Sequence, residues 1–442
     1  MHRVLVVGAG ATGSAAAWRL RQLGQVKLEV WEKARGPGGR MSTNRQEVSG
    51  ATVRADMGAQ YVSVEESDSA TMQVAERLLS SGVCAEVSPE LLTATPERPV
   101  RAKHLAGTAG GVNDALKTLL EEADATVHYE KRVASLDLQS GSWRARPFEG
   151  APGMFDAVLI AVPGCGVGGD NLLKIHGSWE GMLKQDQNKQ LMAAQHDQRW
   201  SFAFFLPSDC QAVCERYFGP KVVEKLVDDE VVHLLCYQSR KTEIVSLESS
   251  ASSPVVVAHS TTEWAKRHAQ RGGKDERLLR EMAAHVQKLI GLEGPLSQLT
   301  STSKVITWKQ CQVQRPVTSE AVPFMAVTSA PPLLLAGDYF TSSSFSGCVR
   351  SGFAAAEALS ALLKDVTPKA TDAPEVSEGT GRKGKGKGGK GKRDQGKGKH
   401  KHDTWENDGG WQDGGWHHGG WKGKGGKGGK GGKGKREGYP YS

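Results

Sequence analysis

Three observations predict an α/β fold, a Rossmann-like dinucleotide-binding domain with an inserted mixed α+β block. An apolar strand pattern, Val4 to Val7, runs into the turn G-A-G-A-T-G at Gly8 to Gly13. A second apolar run, Leu28 to Trp31, ends in Glu32, nineteen residues after Gly13. Far downstream, Leu333 to Ala336 repeats the buried-strand pattern, closes on Gly337-Asp338, and leads into a helical pattern from Phe345 to about Leu363.

The first element is a strand that must turn sharply into a helix opening near Thr12. Gly8, Gly10 and Gly13 supply the turn, the close backbone approach and the tight helix-to-strand packing that a pyrophosphate requires. The free N–H groups and positive dipole end of that helix then face the diphosphate. Glu32 stands where a carboxylate accepts both hydroxyls of an adenosine ribose, and its charge would repel a ribose 2′-phosphate.

The next segment reads A-R-G-P-G-G-R-M from Ala34 to Met41, and Arg40, just beyond Gly38-Gly39, is placed to contact a second phosphate. A-D-M-G-A-Q-Y-V, Ala55 to Val62, ends a loop and opens a strand, with Gly58 and Ala59 small enough for a flat ring to approach the backbone. Residues 71–80 read as a helix, 87–100 as short strands, and 110–123 as a helix with Val112, Leu116, Leu119 and Leu120 on one face. Residues 126–129, 133–138, 143–147 and 155–163 read as strands. From 164 to 300 the pattern changes to longer strands at 201–206, 231–237 and 255–260 and a helix at 275–290, which marks a substrate block.

The predicted organisation therefore assigns 1–70, 106–164 and 306–365 to the cofactor domain, 71–105 and 165–305 to the substrate domain, and 366–442 to a disordered linker and tail. In the last cofactor segment, Asp338 at a strand end can hold the hydroxyls of a ribityl chain. The helix N-terminus at Gly347, Cys348 and Val349 can direct N–H groups at the pyrimidine end of a flavin, where a positive field stabilises the reduced ring. A flavin accounts for both ends of the chain; a nicotinamide alone accounts only for the first.

The basic balance of the chain has a location. Residues 381–442 hold 17 Lys and Arg against 6 Asp and Glu, out of 57 and 49 in the whole chain, which leaves residues 1–380 at −3. Trp405, Trp411, Trp416 and Trp421 punctuate this Gly/Lys-rich tail. Lysines that neutralise phosphate and indoles that stack on bases make RNA one candidate partner. A solvated, disordered extension is the favoured reading, because Gly-rich charged sequence cannot bury a core. Seven scattered cysteines with no C-x-x-C read as free thiols in a reducing compartment; Cys210 and Cys214 lack a second ligand pair, and no metal is expected. No run of about 18 apolar residues is present and no separate cleavable segment precedes the glycine turn, so the expectation is a cytoplasmic protein without a membrane span.

Taken together with T-W-K-Q-C-Q-V at Thr307 to Val313 and A-G-D-Y-F-T-S-S-S-F-S-G-C-V at Ala336 to Val349, these motifs resemble the renalase family, a branch of the flavin amine oxidase superfamily. The resemblance runs in order from residue 1 to about 363 and is weakest from 164 to 290. It implies a non-covalently bound FAD, with Thr12, Arg40, Gly58, Ala59 and Asp338 matching the family's flavin contacts and Met41, Gln60 and Val133 assigned to the same cofactor. It also implies an oxidase that returns 2- and 6-dihydro isomers of NAD(P)H to NAD(P)+ while O2 is reduced to H2O2. Hydride loss from a dihydropyridine yields an aromatic ring without proton removal, in keeping with the lack of any Ser/His/Asp or paired-carboxylate pattern. Trp308 is the candidate wall for the reacting ring, with His259 and Tyr61 as further pocket residues; a core tryptophan and a core histidine are the plain alternatives. Cys348 could suggest a covalent flavin, against which the resemblance speaks. The rival activities are a flavin amine oxidase on a small amine and, from another class, an RNA-interacting protein acting through its tail.

Overall fold

The computed structural model describes residues 1–24, 26–48, 51–92, 102–108, 110–164, 175–219, 224–246, 253–271, 275–317 and 322–366. The expectations for 93–100 and for the tail beyond 366, including its RNA contacts, lie outside the described residues.

The apolar run at the start of the chain is strand His2–Val7, and it pairs in parallel with Val26–Trp31 on one side and Ala157–Ile160 on the other. Thr126–His128 and Pro332–Ala336 extend the parallel sheet outward, and Phe324–Ser329 adds an antiparallel edge, making six strands. Val4, Leu5, Val6, Leu159, Leu333 and Leu334 are fully buried, as expected of parallel strands covered on both faces. Helix Ala11–Leu23 and helix Phe345–Leu363 pack together on one face, bringing Ala16, Ala17 and Leu20 against Ala355, Ala356 and Leu359. Gly352 makes this approach possible, since a Cβ there would lie 2.6 Å from the Thr12 carbonyl. The opposite face carries a second core in which Trp31, Trp143, Phe155 and Trp179 are buried.

The block expected to hold the substrate forms a five-stranded antiparallel sheet, in the order Glu224–Leu226, Val232–Tyr237, Val255–Ser260, Arg199–Phe205 and Lys304–Trp308. Period-two alternation divides its strands. Phe202, Phe204, Val256 and Ala258 face helix Glu276–Ile290 and its Leu278, Met282 and Val286. Ala203, Phe205, Val255 and Val257 face the hairpin Thr43–Val48/Ala51–Asp56 through Val53, Ala55 and Met57. That second face joins the substrate sheet to the polypeptide leading into the cofactor site.

The segment expected to open the substrate block divides between two neighbours: Val87, Leu92 and Ala106 pack with Ile244 and Val245 of that block, whereas the helix before them does not. Helix Ser69–Ser80 buries Val74, Ala75 and Leu78 with Ala15, Trp18 and Phe353, on the side of the two packed cofactor-domain helices. A short helix with one apolar stripe carries no mark in sequence of which core it will join. The helix expected at 110–123 is shorter, Asp114–Glu122, because Gly111 adopts a left-handed φ of 86° and Val112 is engaged by Asp56 before the helix begins.

Candidate active site

The glycine turn has the geometry its residue types require. Gly8 has φ 103°, and its N–H donates to the Trp31 carbonyl at 2.9 Å. A Cβ on Gly13 would lie 2.0 Å from the Gly8 carbonyl oxygen, whereas one on Gly10 would point into open space at the start of the helix. Glu32, 8% exposed, accepts the N–H of Ala9 on one carboxylate oxygen and that of Ala34 on the other, each at 2.8 Å. Its position is thus fixed by backbone, and each oxygen keeps a lone pair. The hydroxyls of Ser14 and Ser42 are buried here without a partner among the described residues, a donor set that suits a dinucleotide diphosphate.

Arg40 reaches Asp338 rather than standing alone. Its Nη1 lies 2.5 Å from Asp338 Oδ2 and 2.6 Å from the Cys311 carbonyl. Ser343 Oγ also donates to Asp338 Oδ2 at 2.5 Å and accepts the N–H of Val313. Burial by itself would raise the Asp338 carboxyl, but the hydrogen bond and charge of Arg40, helped by Ser343, hold it below its usual range. The same partnership raises Arg40 against the pull of burial. Both donors converge on Oδ2, and all three Arg40 contacts use Nη1, so Asp338 Oδ1 and the Arg40 Nε and Nη2 take no partner from the described residues. A hydroxyl and an anion are the groups these free positions fit.

Contacts run on from this pair in two directions. Towards the glycine turn, burial first, and then the charge of Asp338, push the Cys348 thiol up to about 11, and it is hydrogen-bonded to Thr12. Towards the substrate sheet, the Arg40 carbonyl accepts the N–H of Ala59 at 2.9 Å, and a Cβ on Gly58 would lie 1.9 Å from that carbonyl and 3.3 Å from Trp308 Cη2. Trp308 closes its strand opposite Arg199, and its indole meets the His259 ring edge-on, with centroids 6.3 Å apart. His259 Nε2 lies 2.8 Å from the Met57 carbonyl, which fixes the tautomer with that nitrogen protonated. Burial pushes this imidazole down to about 4, so it is a neutral hydrogen-bond donor.

The structure thereby gathers Gly8, Gly10, Gly13, Thr12, Cys348, Asp338, Arg40, Gly58, Ala59, Trp308 and His259 into one continuous line of contacts. Five of the expected residues are placed differently. Tyr61 directs its hydroxyl to Glu224 at 2.8 Å and its ring to His104, away from Trp308. Gln60 turns its amide into a buried polar cluster with Asp56, Gln238 and Lys241. Val349 and Met41 bury their side chains in the apolar core with Trp18 and Phe353, and Val133 packs in the core containing Trp31. At the helix end, Ser344 takes the N–H of Gly347 on its hydroxyl and that of Cys348 on its carbonyl, so these two donors stay within the helix. Gly347 serves instead for close approach, since a Cβ there would lie 2.3 Å from the Ser342 carbonyl. Ser14, Ser42 and Ser343 were not singled out in sequence; the triple serine before the helix is the one signal that could have drawn attention to Ser343.

Residues 6–78 match the NAD(P)-binding Rossmann-like domain, and residues 90–360 match the flavin containing amine oxidoreductase family. Renalase of Mus musculus is 25% identical over 376 residues, spanning 81% of this chain and 99% of the mouse protein. Among solved structures, a double mutant of putrescine oxidase redesigned in cofactor binding aligns with TM-score 0.53 at 13% identity. Wild-type putrescine oxidase bound to putrescine aligns with TM-score 0.51 at 12% identity, and both alignments cover 81% of this chain and 99% of theirs. At such identity these two structures speak for the fold. With the site geometry, the family match makes FAD the cofactor and oxidoreduction the chemistry. No described helix is long and apolar enough to cross a membrane. The chain belongs to the flavin containing amine oxidoreductase family, as a renalase-like member.

Proposed function

We propose that the protein oxidises the 2- and 6-dihydro isomers of NAD(P)H to NAD(P)+, with O2 reduced to H2O2. A bound FAD supplies hydride acceptance and return of the electrons to oxygen. The observation that carries the reading is the wall formed by Trp308 over Gly58, with neutral His259 edge-on behind it. The indole edge stands against a backbone with no side chain, and the slot for a planar ring is read along that aromatic surface. His259 holds its proton on the Met57 carbonyl and cannot accept another on Nε2. Cys348, held protonated, is no base either. A reaction completed by hydride loss alone needs neither.

Within this reading Glu32 takes the adenosine ribose, the Gly8 to Gly13 turn and Ser14 take the diphosphate, and the free Arg40 nitrogens add a cation to it. Asp338 Oδ1 takes a ribityl hydroxyl. Trp308 orients the reacting ring and, with the substrate sheet behind it, keeps bulk water from the slot. The 25% identity to mouse renalase across nearly its whole length supports the same assignment.

The test is an anaerobic mixture of the holoprotein with borohydride-reduced NAD+, which contains the isomeric dihydro forms. Rapid bleaching of the visible flavin band, unmatched by ordinary NADH and reversed by air with peroxide formed, is the expected result. A flavin that stays oxidised with the isomers and bleaches with a small amine would replace this substrate by an amine.

A further inference from the structure

We propose that Lys241 is a positioning residue of the flavin site, acting through the strap Asp56 to Gln60. The proposal rests on the assignment of Gly58 and Ala59 to the flavin. Lys241 lies on helix Gln238–Ser246 of the substrate block, and no part of the sequence pattern singles it out. Its ammonium is buried, with side-chain exposure of 5%, and meets Asp56 Oδ2 at 2.6 Å, the Gln60 carbonyl at 3.1 Å and Gln60 Oε1 at 3.3 Å. Three donors meet three acceptors, so this is a closed electrostatic joint and not a free amine.

The joint sits among other bonds to the same five residues. Asp56 Oδ1 accepts from Thr43 Oγ1 and from the Val112 N–H, while the Asp56 N–H donates to Gln238 Oε1 at 3.1 Å. The Met57 carbonyl accepts Ser201 Oγ at 2.5 Å and His259 Nε2 at 2.8 Å. Gln60 Nε2 donates to the Asp56 and Gly58 carbonyls, closing the loop on itself. The substrate block therefore grips both ends and the middle of the strap, through Lys241, Gln238, Ser201 and His259. Only one of these gripping side chains is charged, and its removal leaves Asp56 buried without a counter-charge. Asp56 and the carbonyls beside Gly58 would then lose their fixed position.

The experiment compares the FAD-loaded protein with Lys241→Met, with the neutral double variant Asp56→Asn, Lys241→Gln, and with Leu278→Ala. The double variant leaves no buried charge and so keeps a folded holoprotein available. Leu278→Ala is a control that destabilises the far face of the substrate sheet. Two readouts are taken besides thermal melting: visible circular dichroism of the oxidised flavin, and the limiting rate of anaerobic reduction by borohydride-reduced NAD+. The expected result is altered flavin dichroism in both strap variants, with the limiting rate lowered on the order of ten-fold and the half-saturating reductant concentration changed less than about three-fold. Leu278→Ala should lower melting without moving either readout. Strap variants that melt earlier yet keep wild-type dichroism would overturn the proposal and leave Lys241 a purely structural residue. Because the dichroism needs no reductant, a wild-type flavin that resists the isomers would sink the substrate assignment alone.

Discussion

Arg40 Nη1 and Asp338 Oδ2, 298 positions apart in the chain, meet at 2.5 Å between the glycine turn and the Trp308 wall. Asp338 is 1% exposed and the Arg40 side chain 27%, so neither charge is fully hydrated when the other is removed. Arg40→Met should cost on the order of 3 kcal/mol at pH 7, by leaving a buried carboxylate unpaired. The sign with pH follows from Asp338, whose carboxyl is depressed in the folded protein from its ordinary value of 3.8. Its contribution is present above that value and is lost as pH falls through the folded one. In Arg40→Met, burial without a partner raises the same carboxyl, and protonation then relieves the variant. The stability gap should be widest near neutrality and narrow on acidification, measured by urea unfolding of both holoproteins.

His259 predicts a dependence of the same sign in a higher pH window. Its imidazole is lowered from 6.5 to about 4 by burial, so the unfolded chain binds a proton that the folded protein refuses between those values. Stability should therefore fall as pH drops from 6.5 towards 4, by at most about 3 kcal/mol from this group. His259→Gln keeps an N–H donor for the Met57 carbonyl and should lose that component. The limiting rate of flavin reduction should stay flat from pH 6 to 9 in the wild type. A step in the rate assignable to His259, absent in His259→Gln, would make it an acid or base.

The cofactor domain was legible because its signals are local. A strand, three glycines and an acid nineteen residues on need no tertiary information; Gly8 reappears as a positive φ and Gly13 as a clash distance, while Gly10 opens onto free space. Asp338 was legible as a carboxylate at a strand end. Its partner was not, since the Arg40 to Asp338 contact spans almost the whole chain and both residues had credible separate tasks. Tyr61 shows the limit from the other side. It follows the strap directly, but strand alternation sends its ring to His104 and Glu224, and no spacing in sequence records which face the strap presents. Lys241 was illegible for the same reason: a lysine on a short polar helix reads as a solvated charge until the fold places Asp56 beside it.

Cys348 should prove inert. Burial first, and then the charge of Asp338, push it up to about 11 against the opposing pull of Arg40 and of the Thr12 hydrogen bond, well above the range of reactive thiolates. Acid precipitation of the holoprotein should release all the FAD, leaving a polypeptide of unmodified mass. Cys348→Ala should retain the flavin with its spectrum unchanged. A yellow pellet with added flavin mass would reverse this assignment.

Gly58 offers the sharpest steric test, because its two neighbours differ in how far they can yield. A Cβ there meets the Arg40 carbonyl at 1.9 Å, a backbone atom tied to the Ala59 N–H, and Trp308 Cη2 at 3.3 Å. The indole can shift by a few tenths of an ångström, but the carbonyl cannot without moving Arg40 and with it the contact to Asp338. Gly58→Ala should thus weaken FAD binding by at least about ten-fold, a loss of roughly 1.4 kcal/mol, measured by flavin fluorescence on reconstitution of the apoprotein. Gly10→Ala carries no comparable clash with the protein itself, since its Cβ meets nothing within 4 Å. Its apoprotein should melt close to wild type while FAD binding falls, because that Cβ enters the space assigned to the diphosphate. Unchanged FAD affinity in Gly10→Ala would remove the diphosphate from that turn.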